Sequence, residues 1–145
     1  MDKYMQIAID EARQGLNEGG IPIGAVLVGP DGTVLGRGHN RRVQDQDPVI
    51  HAEIDALRKA GRVGKYTGAT MYSTLMPCYM CAGAMVQFRI ARVVAGEADT
   101  FQGGRDFMKE HGIEVVDLDL AECKEMLQTF ARENPDLWAE DIGEL

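Results

Sequence analysis

The stretch IPIGAVLVGPDGTVLGRGHN, residues 21–40, decides the fold. IPIGAVLVG is an apolar run of strand length, GPDG is a turn, and TVLGRGHN is a second strand. Pro30-Asp31-Gly32 suits a tight reversal, because proline presets φ and glycine accepts positive φ. The two strands are therefore expected to pair antiparallel. Upstream, residues 3–17 set Met5, Ala8, Ile9, Ala12 and Leu16 on one helical stripe, with Asp2 as N-cap and Gly19-Gly20 as the stop. Downstream, RRVQDQDPVI (41–50) reads as a polar loop. A second helix runs from His51 to about Arg62, a third strand covers 69–75, and a third helix, CYMCAGAMVQF, follows Pro77. ARVVAGEA is a fourth strand, GGRDFMKEHG a short helix ended by Gly112, and IEVVDL a fifth strand. Asp119, with Glu122 three places on, reads as a capping box for a helix striped by Leu120, Cys123, Met126, Leu127 and Phe130. The tail, ENPDLWAEDIGEL, holds one more short helix.

This order of elements, α-β-β-α-β-α-β-α-β-α, implies an α/β fold with helices on both faces of the sheet. The helical crossover between the fourth and fifth strands makes those two parallel. The expectation is a three-layer α/β/α sandwich around a five-stranded mixed sheet, with residues 1–145 forming one domain. Fifteen basic against 23 acidic residues leave a net charge of −8. An acidic chain argues against a nucleic-acid partner, because phosphate neutralisation needs a basic surface; Arg41-Arg42 and Arg58-Lys59 are the adjacent basic pairs. No apolar run approaches the ~20 residues of a membrane span, and the charged, amphipathic N-terminus does not resemble a signal peptide. A reducing cytoplasm is the expected location. Three cysteines are an odd count with no disulfide framework, so Cys pairs point first to metal or redox chemistry.

Two segments carry that chemistry. His51-Ala52-Glu53 opens one helix, and Pro77-Cys78-Tyr79-Met80-Cys81 opens another, both at the end of the sheet where ligands bind in open α/β folds. Cys78 and Cys81 are i and i+3 and share a helical face. Side chains lean toward the helix N-terminus, so both sulfurs reach one ion off the helix end, where the partial positive charge favours thiolates. His51 adds a third ligand from the neighbouring helix. Two thiolates, one imidazole and Zn²⁺ sum to zero charge, and three protein ligands leave the fourth tetrahedral position for water. Zinc lowers the pKa of that water toward ~7, and Glu53, two residues past the histidine, can take its proton and pass it to substrate. A plain redox pair would have no use for His51 and Glu53. A closed structural site would need Cys123, His39 or His111 as fourth ligand. Cys123 instead lies on an apolar stripe, His39 ends a strand, and His111 precedes a helix stop. His-x-Glu followed by Pro-Cys-x-x-Cys is the known signature of the zinc deaminases, and this chain matches it.

The segments EGGIPIGAVLV, VLGRGHN, HAEIDAL, TMYSTLMPCYMCAGAM and DLWAEDIGEL together resemble the yeast-type cytosine deaminases, zinc enzymes of the cytidine deaminase fold. The resemblance covers nearly the whole chain. It implies one zinc ion per chain, held by His51, Cys78 and Cys81, with Glu53 as proton shuttle. It implies a free-base pocket in which Asn40, Asp141 and the Ala52 backbone N–H bind the base, Phe101 and Trp138 form aromatic walls, and Ile23 gives an apolar contact. It also implies a homodimer acting on a small nucleobase, cytosine being converted to uracil and ammonia. Read without the resemblance, Asn40 also fits turn chemistry, Phe101 also fits a core position, and Trp138 also fits a tail anchor. The chain departs from the family pattern at Ala52, Met76, Tyr79, Asp99 and Ala139. Met76 and Asp99 stand where they would reshape or recharge the pocket, which keeps guanine, isocytosine or a pterin in view as substrates, and a tRNA wobble adenosine more remotely.

Overall fold

The computed structural model describes residues 2–144. Helix α1 (Lys3–Asn17) is followed by strands β1 (Gly24–Val28) and β2 (Val34–His39), the four-residue helix α2 (Arg42–Asp45) and helix α3 (Ala52–Ala60). Then come β3 (Thr70–Ser73), α4 (Tyr79–Gln87), β4 (Arg92–Ala95), α5 (Arg105–Glu110), β5 (Glu114–Asp117), α6 (Ala121–Glu133) and α7 (Pro135–Asp141). The strands form one mixed sheet in the order β2-β1-β3-β4-β5. β1 pairs antiparallel with both β2 and β3, while β3–β4 and β4–β5 are parallel. The fold is the expected open α/β sandwich.

β1 shows how the sequence fills both layers. All five of its residues are buried, and the period of two sends them alternately to opposite faces. Val26 and Val28 join Met5, Ala8 and Ile9 of α1 with Tyr72, Val94 and Cys123. Ala25 and Leu27 join Ala52 and Ala56 of α3, Ala82 and Met85 of α4, and Met108 of α5.

Strand register gathers the site at one end. Gly24 lies opposite His39, Ala25 opposite Ser73, and Ser73 opposite Ala95. The start of β1 and the ends of β2, β3 and β4 therefore meet on one rim. The segments leaving that rim carry Asn40, His51, Cys78 and Phe101.

Several expectations change. The 41–50 segment is not all loop, because Arg42–Asp45 makes a single helical turn closed by Gln46 in a left-handed conformation. Four residues are too few to show periodicity. Asp119 caps nothing: it sits at φ 52, Leu120 takes the cap position of α6, and no side chain caps that helix start. The Asp119 carboxylate pairs with Lys124 instead, and Glu122 pairs with Arg13 of α1. Leu16, placed on the apolar stripe of α1, is exposed. The strands and α3 are also shorter at their ends than the sequence pattern suggested.

Candidate metal centre and pocket

His51 and Cys78 occupy the cap positions of α3 and α4, each in an extended backbone conformation and neither bonding its own helix through its side chain. The side chains that would ordinarily satisfy a helix start are turned toward each other. His51 Nδ1 lies 3.4 Å from Cys78 Sγ and 3.8 Å from Cys81 Sγ. The three ligand atoms fall within 4.8 Å of one another. Tetrahedral zinc, with bonds of about 2.3 Å to sulfur and 2.0–2.1 Å to nitrogen, separates nitrogen from sulfur by roughly 3.6 Å. The side chains are thus spaced to hold one such ion, with Cys81 fully buried and Cys78 half-buried. The positive ends of two helix dipoles face the thiolates.

The other candidates for a fourth ligand are committed elsewhere. His39 is held between two carboxylates of the α1 segment. His111 Nδ1 bonds the Phe107 carbonyl at the end of α5. Cys123 is packed in the core, and burial pushes its thiol up to about 12.

The tail supplies a further carboxylate. Asp141 Oδ1 lies 3.2 Å from His51 Nε2 and accepts from Asn40 Nδ2, also at 3.2 Å. His51 therefore turns Nδ1 toward the sulfurs and Nε2 toward the carboxylate. A carboxylate behind a metal-binding histidine fixes the ring and raises its basicity. Burial opposes charge on this imidazole, but Asp141 and Cys78 outweigh it and hold the ring's pKa up at about 10. Cys78 is held down at about 4, first by the Cys81 thiol bonding to it and, against burial, by His51. Cys81 is raised, by that same bond and by burial. A cation entering here must expel the protons of Cys81 and of His51 Nδ1, so its affinity falls in acid.

Glu53, in the first turn of α3, is 4% exposed. Burial, reinforced by the Cys78 thiolate and opposed by the His51 charge, pushes its carboxyl up to about 7. A proton carrier works best when its pKa lies near the working pH.

These groups line a small, tight cavity. Asn40, His51, Ala52, Glu53 and Cys78 form its polar side. Ile23, Phe101 and Trp138 bring apolar surface, and Asp141 adds a carboxylate. Ala52 is the first residue of α3, where a backbone N–H has no partner within the helix. Every site residue named from the sequence lies here except Cys81, which sits behind the cavity in the ligand trio. Met76 is buried against the cavity, whereas Asp99 is not part of it: its carboxylate turns to Lys124 Nζ at 2.8 Å. Leu75 and Ile142 also line the cavity and were not anticipated. Their positions beside Met76-Pro77 and Asp141 are the only signal that could have found them.

Residues 1–97 match the family model described as the cytidine and deoxycytidylate deaminase zinc-binding region. The chain is 46% identical over 144 residues to a cytosine deaminase of Candida albicans, covering 98% of this chain and 96% of that one. It is 43% identical over 143 residues to a tRNA-specific adenosine deaminase of Bacillus subtilis, covering 90% and 88%. A solved structure from work on A-to-I editing by tRNA:A34 deaminases superposes with a TM-score of 0.75 at 35% identity, covering 86% of this chain and 98% of that one.

Proposed function

This chain belongs to the cytidine and deoxycytidylate deaminase family of zinc-binding proteins, and from that premise we propose that it hydrolyses the exocyclic amine of a free nucleobase, cytosine plus water giving uracil plus ammonia. Zinc, when bound, supplies Lewis acidity and a lower pKa for water, so attack becomes possible near neutral pH. The chain's own residues do the rest. The Ala52 N–H and the Asn40 amide face the edge of the base, and the Asp141 oxygen not shared with Asn40 and His51 is left for its amino group. Phe101 and Trp138 enclose the ring faces and exclude water. Glu53 takes one proton from the attacking water and gives it to the ring nitrogen, then takes the proton left on the added hydroxyl and gives it to the amine, so that the C–N bond breaks, ammonia leaves and the carbonyl forms.

The observation that carries this reading is the roof. α7 brings Trp138 and Asp141 to the cavity, and the helix is tied to α2 by Arg42 Nε, which donates to Glu140 Oε1 at 3.1 Å. A cavity this tight, walled by Ile23, Phe101, Trp138 and Ile142, suits a free ring better than one still carrying ribose. The identity to a cytosine deaminase across nearly all of both chains supports the same choice.

A second reading, deamination of adenosine in tRNA, is favoured by the 43% identity to such an enzyme. The net charge of −8 speaks against a phosphate-binding surface. The test is ammonia release by zinc-loaded protein from cytosine, guanine, isocytosine and a pterin, with inosine formation in a tRNA anticodon stem measured beside it. Turnover of cytosine above the others is expected. Inosine formation without base turnover would replace the proposal by the second reading. We also propose a homodimer. The exposed apolar side chains Tyr79, Met80 and Phe88 along α4 support it, and analytical ultracentrifugation tests it.

A further inference from the structure

The densest charged cluster outside the pocket surrounds His39, the residue immediately before Asn40. The ring is 1% exposed. Its Nδ1 lies 2.8 Å from Glu11 Oε1, and its Nε2 lies 2.8 Å from Glu18 Oε1. A neutral imidazole carries one N–H only, so it would leave one of these carboxylates facing a lone pair. Two oxygens at hydrogen-bond distance on opposite sides of the ring call for two donors, which means the imidazolium.

The surroundings are built for that cation. From α1, Glu11 also accepts from Arg37 Nε of β2 at 2.7 Å. Glu18, just past the end of α1, accepts from the Gln44 amide at 3.2 Å. After β2, Arg41 Nη1 stands 3.2 Å from His39 Nε2. Arg41 can donate there only when Nε2 carries no proton, so it competes with Glu18 for that nitrogen. The Arg41 charge is answered by Asp45 of α2 at 2.9 Å and by Glu18 at 3.9 Å. From α3, Asp55 Oδ2 accepts the His39 backbone N–H at 3.1 Å and Lys59 Nζ at 3.1 Å. Two glycines make room. A Cβ at Gly15 would stand 3.0 Å from the His39 ring, and one at Gly38 would overlap the Asp55 carboxylate at 2.4 Å. The His39 pKa is raised, chiefly by the Glu11 bond and, against burial, by Glu18.

We propose that His39, as an imidazolium clamped between Glu11 and Glu18, is the positioning residue that sets Asn40 at the edge of the pocket. The proposal rests on the base-deaminase reading above. Asn40 is fully buried, and its amide is used at both ends: Oδ1 accepts from the Arg42 N–H at 3.0 Å, and Nδ2 donates to Asp141. That orientation depends on where the end of β2 lies. His39 ties this end to the α1 segment by its ring and to α3 by its backbone. When the ring loses a proton, a carboxylate 2.8 Å away loses its donor, the pair separates, and the strand end moves with Asn40 on it.

The test uses zinc-loaded protein. In the parent enzyme, KM for cytosine rises on the alkaline side. In Glu18→Gln, which removes one of the two carboxylates far from the metal ligands, that rise begins at lower pH, while kcat at neutral pH is unchanged. In His39→Gln, KM at neutral pH is about tenfold higher, the worth of one hydrogen bond to substrate, with kcat within about twofold and no alkaline rise. An alkaline limb that stays in place in Glu18→Gln overturns the proposal, as does a loss confined to kcat in His39→Gln. If the parent turns over no base, the functional reading fails instead, and ¹⁵N NMR still decides the clamp. Two protonated ring nitrogens on His39 at pH 7, and an Asn40 side-chain amide resonance that moves with the His39 titration, are expected. A singly protonated ring, or an Asn40 resonance indifferent to that titration, overturns it.

Discussion

Truncating Asp141 to alanine tests whether the tail acts on the metal centre as well as on the base. The carboxylate joins two groups from distant parts of the chain through one oxygen, 3.2 Å from His51 Nε2 and 3.2 Å from Asn40 Nδ2. Asn40 keeps its bond from the Arg42 N–H, so its loss is partial. His51 loses the partner that fixes its ring, inside a half-buried site. A hydrogen bond to a charged group contributes about 1.5–3 kcal/mol, and outer-shell partners of metal-binding histidines typically account for 10–100-fold in metal affinity. Both scales agree on a drop of about 10–100-fold in zinc affinity for Asp141→Ala. Asp141→Asn keeps an acceptor of the same shape without the charge and should fall between the two. Competition with a chromophoric chelator reads this directly, without substrate, and circular dichroism confirms the fold. Zinc affinity equal to that of the parent chain in Asp141→Ala would refute the reasoning, because the carboxylate would then serve the base alone.

Three further outcomes are expected. Glu53→Gln keeps about one zinc per chain and loses about 10²–10⁴-fold in kcat, whereas His51→Ala loses metal and turnover together; metal analysis beside an ammonia assay separates them. Glu53 has a folded-state pKa of about 7, raised above its ordinary carboxyl value by burial. The native state therefore holds a proton that the unfolded chain releases, and stability from this group is present in mild acid and lost as pH rises through about 7. In chelator-treated protein, Glu53→Gln should be more stable than its parent at pH 8.5 by about 3 kcal/mol and nearly equal at pH 4.5; a constant difference in denaturant melts at the two pH values would contradict this. Trp138→Ala removes the aromatic part of the roof, so KM for the base should rise about tenfold or more, and amides of α7 should exchange faster than those of α6. Equal exchange in the variant and its parent would count against a roof held shut by the indole.

The elements that carried chemistry were the readable ones. His51 and Cys78 stand where a polar residue is wanted to start a helix, and Cys78 and Cys81 stand one turn apart, so position and residue type agreed. Pro30-Asp31-Gly32 marked the reversal between β1 and β2 by its backbone preferences alone. What stayed hidden was settled by tertiary contacts. Asp119 and Glu122 have the spacing of a capping box, but Lys124 and Arg13 offer them ion pairs, and Leu120 takes the cap position. Leu75 and Ile142 line the cavity, yet an apolar residue carries the same sequence signal whether it faces a core or a ligand. His39 was legible as a possible ligand because it is a histidine. That it answers Glu11 and Glu18 depends on α1 crossing the end of β2, which no local pattern records.

Asn40 and Asp141 touch across 101 positions of chain, and this separation makes the chamber a late and detachable addition to the fold. The sheet and the three metal-ligating side chains lie wholly upstream of α7, whereas the chamber over them needs Trp138 and Asp141 of that helix. The chamber is thus the easiest part to lose: cleavage or a stop near Pro135 would remove it while sparing the sheet and the three ligands.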